Sequence, residues 1–160
     1  MLFVNYKNKI RRFFALFVLV FKIIGWFFTR PKSQGAIALI FYGDSILLIR
    51  KALFKKVWSL PGGNSVKDEE SEQTAIRETQ EEAGIEIKII KKLGEYFENK
   101  YWRNHTTHVF LAEALGAKIT IDDLEIEEAK FFDRKSLPVN KGQSLKKALE
   151  FYELQNLFQK

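Results

Sequence analysis

Apolar residues along the chain fall into short runs of two kinds. AIALIFY (36–42) is a continuous apolar run, Gly43-Asp44 is a turn pair, and SILLIRK (45–51) is a second run. That order predicts a strand, a tight turn and a second strand. VWSLPGGNSV (57–66) predicts a short strand broken by Pro61-Gly62-Gly63. The stretch from Asp68 to Ala83 contains neither Gly nor Pro and predicts a helix, with Gly84 placed to end it in a left-handed conformation. IEIKII (85–90) predicts a strand continuing irregularly to Phe97; THVFLAEAL (107–115) and EAKFFD (128–133) predict two more. SLKKALEFYELQNLF (144–158) sets Leu145, Ala148, Leu149, Tyr152 and Leu157 close to helical spacing. Strands and helices interleave, so the expected class is α/β, with a mixed sheet and helices on its faces. There is no internal repeat and no low-complexity tract.

Ahead of this body stands a different segment. FFALFVLVFKIIGWFF (13–28) is sixteen residues with one charge, Lys22. As a helix it spans roughly 24 Å, against a bilayer core of about 30 Å. Arg11, Lys22 and Thr29 would form a narrow polar stripe on a wide apolar surface. Three readings stay open: a helix lying in an anionic membrane interface, a short transmembrane anchor, or a helix packed on its own domain or a twin subunit. No small-x-small cleavage site follows Phe28, which argues against a signal peptide. Thr29 to Gly35 reads as a linker. The division expected is a basic, hydrophobic leader and linker over 1–34 and one domain over 35–160.

Charge sharpens this division. The net charge is +6, yet residues 1–35 carry seven Lys and Arg and no acid, leaving −1 for the remainder. The positive excess is a leader property, and no basic and aromatic interleaving points to specific nucleic-acid binding. At 160 residues the chain can bury a core unaided, and with no cysteine it has neither disulfides nor a zinc–thiolate site. A reducing, cytoplasmic setting fits, with peripheral attachment to the inner face of a membrane if the leader binds lipid.

The candidate chemistry sits in RETQEEAG (77–84). On a helix, Glu78, Glu81 and Glu82 project within an arc of about 100°. Ile76, Thr79 and Ala83 mark another face, suited to the sheet. Exposed carboxylates so placed repel by a few tenths of a kcal/mol per pair. A divalent cation reverses that sign, and oxygen-only ligands suit Mg2+ or Mn2+. The competing reading is a solvated acidic face, the ordinary meaning of a charge run.

The company of these glutamates favours the metal. GNSVKDEESEQTAIRETQEEAGI (63–85) places Gly63, Glu69, Arg77, Glu78, Glu81, Glu82, Gly84 and Ile85 in the register of the Nudix box. By residue usage, chance would produce that register in a chain of this length on the order of once in a million. The preceding Trp58-Ser59-Leu60-Pro61-Gly62 and the later EEAKFFD strand extend the resemblance over about 35–138. It implies a Nudix-like α/β/α sandwich with a mixed sheet, here preceded by a hydrophobic helix, and hydrolysis of a nucleoside diphosphate linked to another group. It also implies that Glu78, Glu81 and Glu82 are catalytic carboxylates and, with the Gly63 carbonyl, metal ligands. Glu69, Arg77 and Gly84 are then structural. Thr79 departs from the aliphatic residue usual at its position and is expected to bond back to the carbonyl four residues earlier. Asp68 stands where glycine is common.

Relatives often use one more acid outside the box. Asp122, Asp123, Glu125, Glu127 and Glu128 lie in that region, with Glu125 and Glu128 favoured. Arg50, Lys51, Lys55 and Lys56 could meet substrate phosphates, and Tyr101, Trp102 and Arg103 could stack on a base. His105 and His108 are spaced wrongly for one strand face, which argues against a histidine metal pair. A homodimer is in keeping with the family. Two alternatives to the enzyme remain: a catalytically weak nucleotide-binding or sensor module, and a diphosphate isomerase. The latter often needs a cysteine, which this chain lacks.

Overall fold

A computed structural model describes residue 18 and residues 32–53, 57–100, 103–121 and 124–157. The hydrophobic leader helix, Lys55, Lys56, Tyr101, Trp102, the Arg103 side chain, Asp122 and Asp123 lie outside the described residues. The strands are β1 (Lys32–Tyr42), β2 (Ser45–Lys51), β3 (Gly62–Asn64), β4 (Ile87–Lys100), β5 (Arg103–Ala114) and β6 (Ile126–Asp133). The helices are α1 (Ser71–Ala83), between β3 and β4, and α2 (Gln143–Leu157), after β6. No helix among them is long and apolar enough to cross a membrane.

The sheet runs β4-β5-β1-β2-β6, with β3 paired to β1. β1 and β5 are parallel, and the other pairs are antiparallel, so the sheet is mixed as expected. β1 starts at Lys32, and Lys32 to Gly35 pair with Asn104 to Thr107. These polar residues, read as linker from their composition, are strand because β5 supplies their ladder. Irregularity in β4 takes the form of two register shifts, at Ile89/Lys91 and Lys92/Gly94.

Strand alternation sends side chains to two cores. Ala36, Ala38 and Ile40 of β1, Leu47 of β2 and Phe110 of β5 join Ala75 and Ala83 of α1. The alternate residues Ile37, Leu39, Ile46, Leu48 and Val109 join Trp58 and Leu145 and Ala148 of α2. Fully burying one such Leu or Ile contributes roughly 1.5–3 kcal/mol. The result is a three-layer α/β/α sandwich with α1 and α2 on opposite faces.

Candidate active site

Helix α1 seats the glutamates. Its sheet-facing residues are Ala75, Thr79 and Ala83, while Ile76 is exposed. The expected apolar stripe is therefore rotated by one position. The buried Thr79 hydroxyl donates to the Ala75 carbonyl at 2.7 Å, as its placement four residues on requires. Gly84 ends the helix at φ 64°, its N–H bonding to the Gln80 carbonyl.

That rotation grades the three carboxylates. Glu82 is 3% exposed and Glu78 is 14% exposed, but Glu81 is 58% exposed. Glu82 Oε2 accepts the Gly62 N–H at 2.8 Å. Lys51 Nζ lies 2.5 Å from Glu82 Oε1 and donates to the Gly62 carbonyl at 3.1 Å. The Lys51 ammonium is thus the charged partner of Oε1 and ties it to the Gly62 backbone. Burial pushes the Glu82 carboxyl above its ordinary value, against the pull of Lys51. Burial pushes Glu78 up as well, against Arg77.

Arg77 organises the rest. Its Nε and Nη2 grip Glu69 Oε1 and Oε2 at 2.8 and 3.0 Å, a bidentate pair. Nη2 also donates to the Asn64 carbonyl, and Nη1 donates to Glu78 Oε1 at 2.8 Å and Glu81 Oε2 at 2.9 Å. Glu69 further accepts from the Val66 N–H and the Thr74 hydroxyl. The Arg77 hydrogen bonds above all hold the Glu69 carboxyl down, at about 2. Glu69 thus braces the loop through Arg77. Asp68 adopts a left-handed φ of 63°, which accounts for glycine being common there. Thr74 is an unforeseen member of this brace; a threonine inside a helix gives no sequence signal of such a role.

Gly62 and Gly63, expected to break a strand, begin strand β3. A Cβ on Gly63 would collide with the Glu78 carboxylate, and the Gly63 carbonyl oxygen faces Gly35 of β1. Among the described residues, no group of three His, Cys, Asp or Glu side chains converges closely enough to hold a metal ion as it stands. Arg77 bridges Glu78 and Glu81, while Glu82 pairs with Lys51. The donor set nevertheless fits a hard cation. It offers two burial-raised carboxylates beside a backbone that glycine brings within reach.

The remaining candidates separate. Lys51 faces α1, but Arg50 lies on the α2 side, 5.2 Å from the centre of the Trp58 ring. Arg50 Nη2 pairs with Glu128 Oε2 at 2.7 Å, and Lys130 also bonds Glu128. The structure therefore groups Arg50 with Glu128 on the Trp58 face and does not bring them to the box glutamates. Glu125 is exposed where the chain enters β6, its carbonyl accepting the Ala52 N–H. His105 Nδ1 lies 2.7 Å from Ser33 Oγ, while His108 faces Glu95, so the two histidines project to different partners.

With this geometry in place, the comparisons identify the class. The profile of the NUDIX domain matches residues 31–154, and the chain belongs to that family. Its class is that of the Nudix-type pyrophosphohydrolases, which generally use divalent metals. The ADP-ribose pyrophosphatase of Bacillus subtilis (strain 168) is 28% identical over 132 residues, covering 79% of this chain and 70% of that protein. The diphosphoinositol polyphosphate phosphohydrolase 3-alpha of Mus musculus is 38% identical over 68 residues, covering 42% of this chain and 41% of that protein. The crystal structure of a MutT NUDIX hydrolase from Burkholderia pseudomallei superposes with a TM-score of 0.66 at 27% identity, covering 74% of this chain and 96% of that one.

Proposed function

We propose that this chain hydrolyses the diphosphate linkage of a nucleoside diphosphate derivative, with Mg2+ or Mn2+ as cofactor. Nucleotide sugars, ADP-ribose-like compounds, dinucleotides and nucleoside triphosphates all fall within that class. The observation that carries the reading is the placement of the box carboxylates: Glu82 and Glu78 are 3% and 14% exposed on one helix, with Glu78 against the Cβ-less Gly63.

Glu78, Glu81 and Glu82, with the Gly63 carbonyl, are the groups that would hold the metal. When bound, the metal supplies neutralisation of the charge that develops on phosphate oxygens. The chain's own groups perform the remainder. Glu78 or Glu82 accepts a proton from the attacking water, whose oxygen forms a bond to one phosphorus. The bond from that phosphorus to the bridging oxygen breaks, and the leaving phosphate takes its electron pair. Glu69 and Arg77 act as positioning residues that fix α1 against the segment from Asn64 to Glu69.

Glu82→Gln is expected to lower turnover by more than ~100-fold on a panel of ADP-ribose, dinucleoside polyphosphates, nucleotide sugars and nucleoside triphosphates, with an unchanged circular-dichroism spectrum. Wild-type rates in that variant would remove Glu82 from the mechanism. A second reading, a weakly catalytic nucleotide-binding or sensor module, draws on one observation: Arg77 and Lys51 already pair with all three glutamates. Absence of turnover on the whole panel by folded, metal-supplemented protein selects it.

The leader completes the proposal. Residues 1–31 are a basic, hydrophobic segment ahead of the hydrolase domain, whose boundary moves from 35 to Lys32 because Lys32 to Gly35 belong to β1. It directs a cytoplasmic protein to the anionic inner face of a membrane through residues 1–30. The support is the concentration of positive charge there. A homodimer is the proposed assembly, tested by its mass in solution.

A further inference from the structure

Two cations pair with the box glutamates, and they are anchored very differently. Arg77 makes five hydrogen bonds, two to Glu69 and one each to Asn64, Glu78 and Glu81. Its planar guanidinium is fixed by that set and cannot leave one partner without disturbing the rest. Lys51 has two contacts, Glu82 Oε1 at 2.5 Å and the Gly62 carbonyl at 3.1 Å. Its ammonium ends a flexible four-carbon stem, rooted where the β2–β6 register shifts between Arg50 and Lys51. Among the described residues, Lys51 is the one cation within ion-pair distance of Glu82.

The two oxygens of Glu82 differ in the same way. Oε2 accepts the Gly62 N–H at 2.8 Å, and Gly62 is locked in the ladder opposite Ile37. That donor stays where the sheet puts it. Oε1 faces the ammonium, and Lys51 is 34% exposed where Glu82 is 3% exposed, so the lysine is the more accessible member of the pair. A divalent cation reaching Oε1 meets an ammonium already in contact with that oxygen. Like charges this close repel strongly where water is largely excluded. The two cations cannot both keep Oε1, and the one on a flexible stem yields. An ammonium with three donors is well solvated once it swings toward water, so its release is cheap.

We propose that Lys51 is the resident counter-ion of Glu82 and that a divalent metal displaces it from Oε1. The metal rests on the hydrolase reading, whereas the contacts among Lys51, Glu82 and Gly62 do not. The test therefore measures metal binding and lysine release, and needs no turnover. Mn2+ alone is titrated into full-length protein and the free ion is followed by electron-spin resonance. Lys51→Met, with nothing to displace, should bind Mn2+ at least ~10-fold more tightly than wild type. Arg50→Met removes the same charge from the other face of the sheet and should stay within about twofold, which separates displacement from a general change of field. A second measurement needs no variant. Wild-type protein is acetylated with limiting N-hydroxysuccinimide acetate, and its lysines are compared by peptide mass spectrometry. Saturating Mn2+ should speed modification of Lys51 at least ~5-fold, as its free population rises, and leave the exposed Lys88 and Lys146 unchanged. Equal or weaker Mn2+ binding by Lys51→Met, equal tightening in Arg50→Met, or Lys51 acetylation that Mn2+ leaves unchanged would each overturn the displacement and leave the hydrolase reading standing. Failure of wild type to take up Mn2+ would overturn both.

Discussion

Glu69 shows how one box residue acts through others. Its carboxyl is held at about 2, against an ordinary 4.5, chiefly by hydrogen bonds from Arg77. A depressed carboxylate contributes stability that is present above its unfolded value and is lost as pH falls toward the folded one. The native state should therefore weaken between pH 4.5 and 2 along a slope that Glu69→Gln flattens. Urea midpoints measured across that window check it, and parallel slopes in variant and wild type would reject it. Glu78 and Glu82 work with the opposite sign, because burial raises both; their cost grows as pH rises past the ordinary carboxylate range. The box glutamates were legible as a set because their spacing is a sequence property. Their graded exposure was not, since it depends on which stripe of α1 meets the sheet. Ile76 looked like the natural core residue, but Ala75 and Ala83 let the helix approach the strands more closely and leave Ile76 outside.

At the scale of elements, β2 separates two adjacent cations that the sequence presents side by side. Arg50 shares the α2 side with Leu48, and Lys51 faces α1 with Leu47. Period-two alternation in SILLIRK carried this information, although only the packed helices say which face is which. Arg50→Met is expected to keep turnover within about threefold, because the lost groups are the Glu127 and Glu128 pairs and the Trp58 stack. Lys51→Met removes the cation beside a buried carboxylate. It should cost about 1–3 kcal/mol of metal-free stability, below the ~3–5 kcal/mol of a fully buried pair because Lys51 is partly exposed. Turnover should fall at least ~10-fold. The reverse ranking of the two variants in a Mg2+-supplemented assay would place the active site on the other face. The strands themselves were legible to within a few residues. The exception was the start of β1, whose polar residues are strand only because a distant segment, Asn104 to Thr107, pairs with them.

For the whole molecule, the start of β1 decides where a leader can be removed without harming the fold. Six of the positive charges lie in residues 1–31, so a chain beginning at Lys32 carries a net charge of zero, against +6 for the full chain. It keeps the β1–β5 ladder of the described residues, whereas a cut at Ala36 removes four paired residues, each backbone bond worth about 0.5–1.5 kcal/mol. The chain from Lys32 is thus the proper comparison for membrane attachment. A neutral domain has no net electrostatic pull toward anionic lipid, while each leader cation near such a surface contributes about 1 kcal/mol. The apolar run over 13–28 adds a part that salt does not screen. In flotation with phosphatidylserine-containing vesicles, the full chain should rise with the lipid and the shortened chain should stay behind. Raising salt to about 0.5 M should weaken binding of the full chain without abolishing it, since only the electrostatic part is screened. Equal recovery of both chains in the unbound fraction would discard membrane attachment and leave the leader to protein contacts, which the mass of full and shortened chains in solution would then reveal.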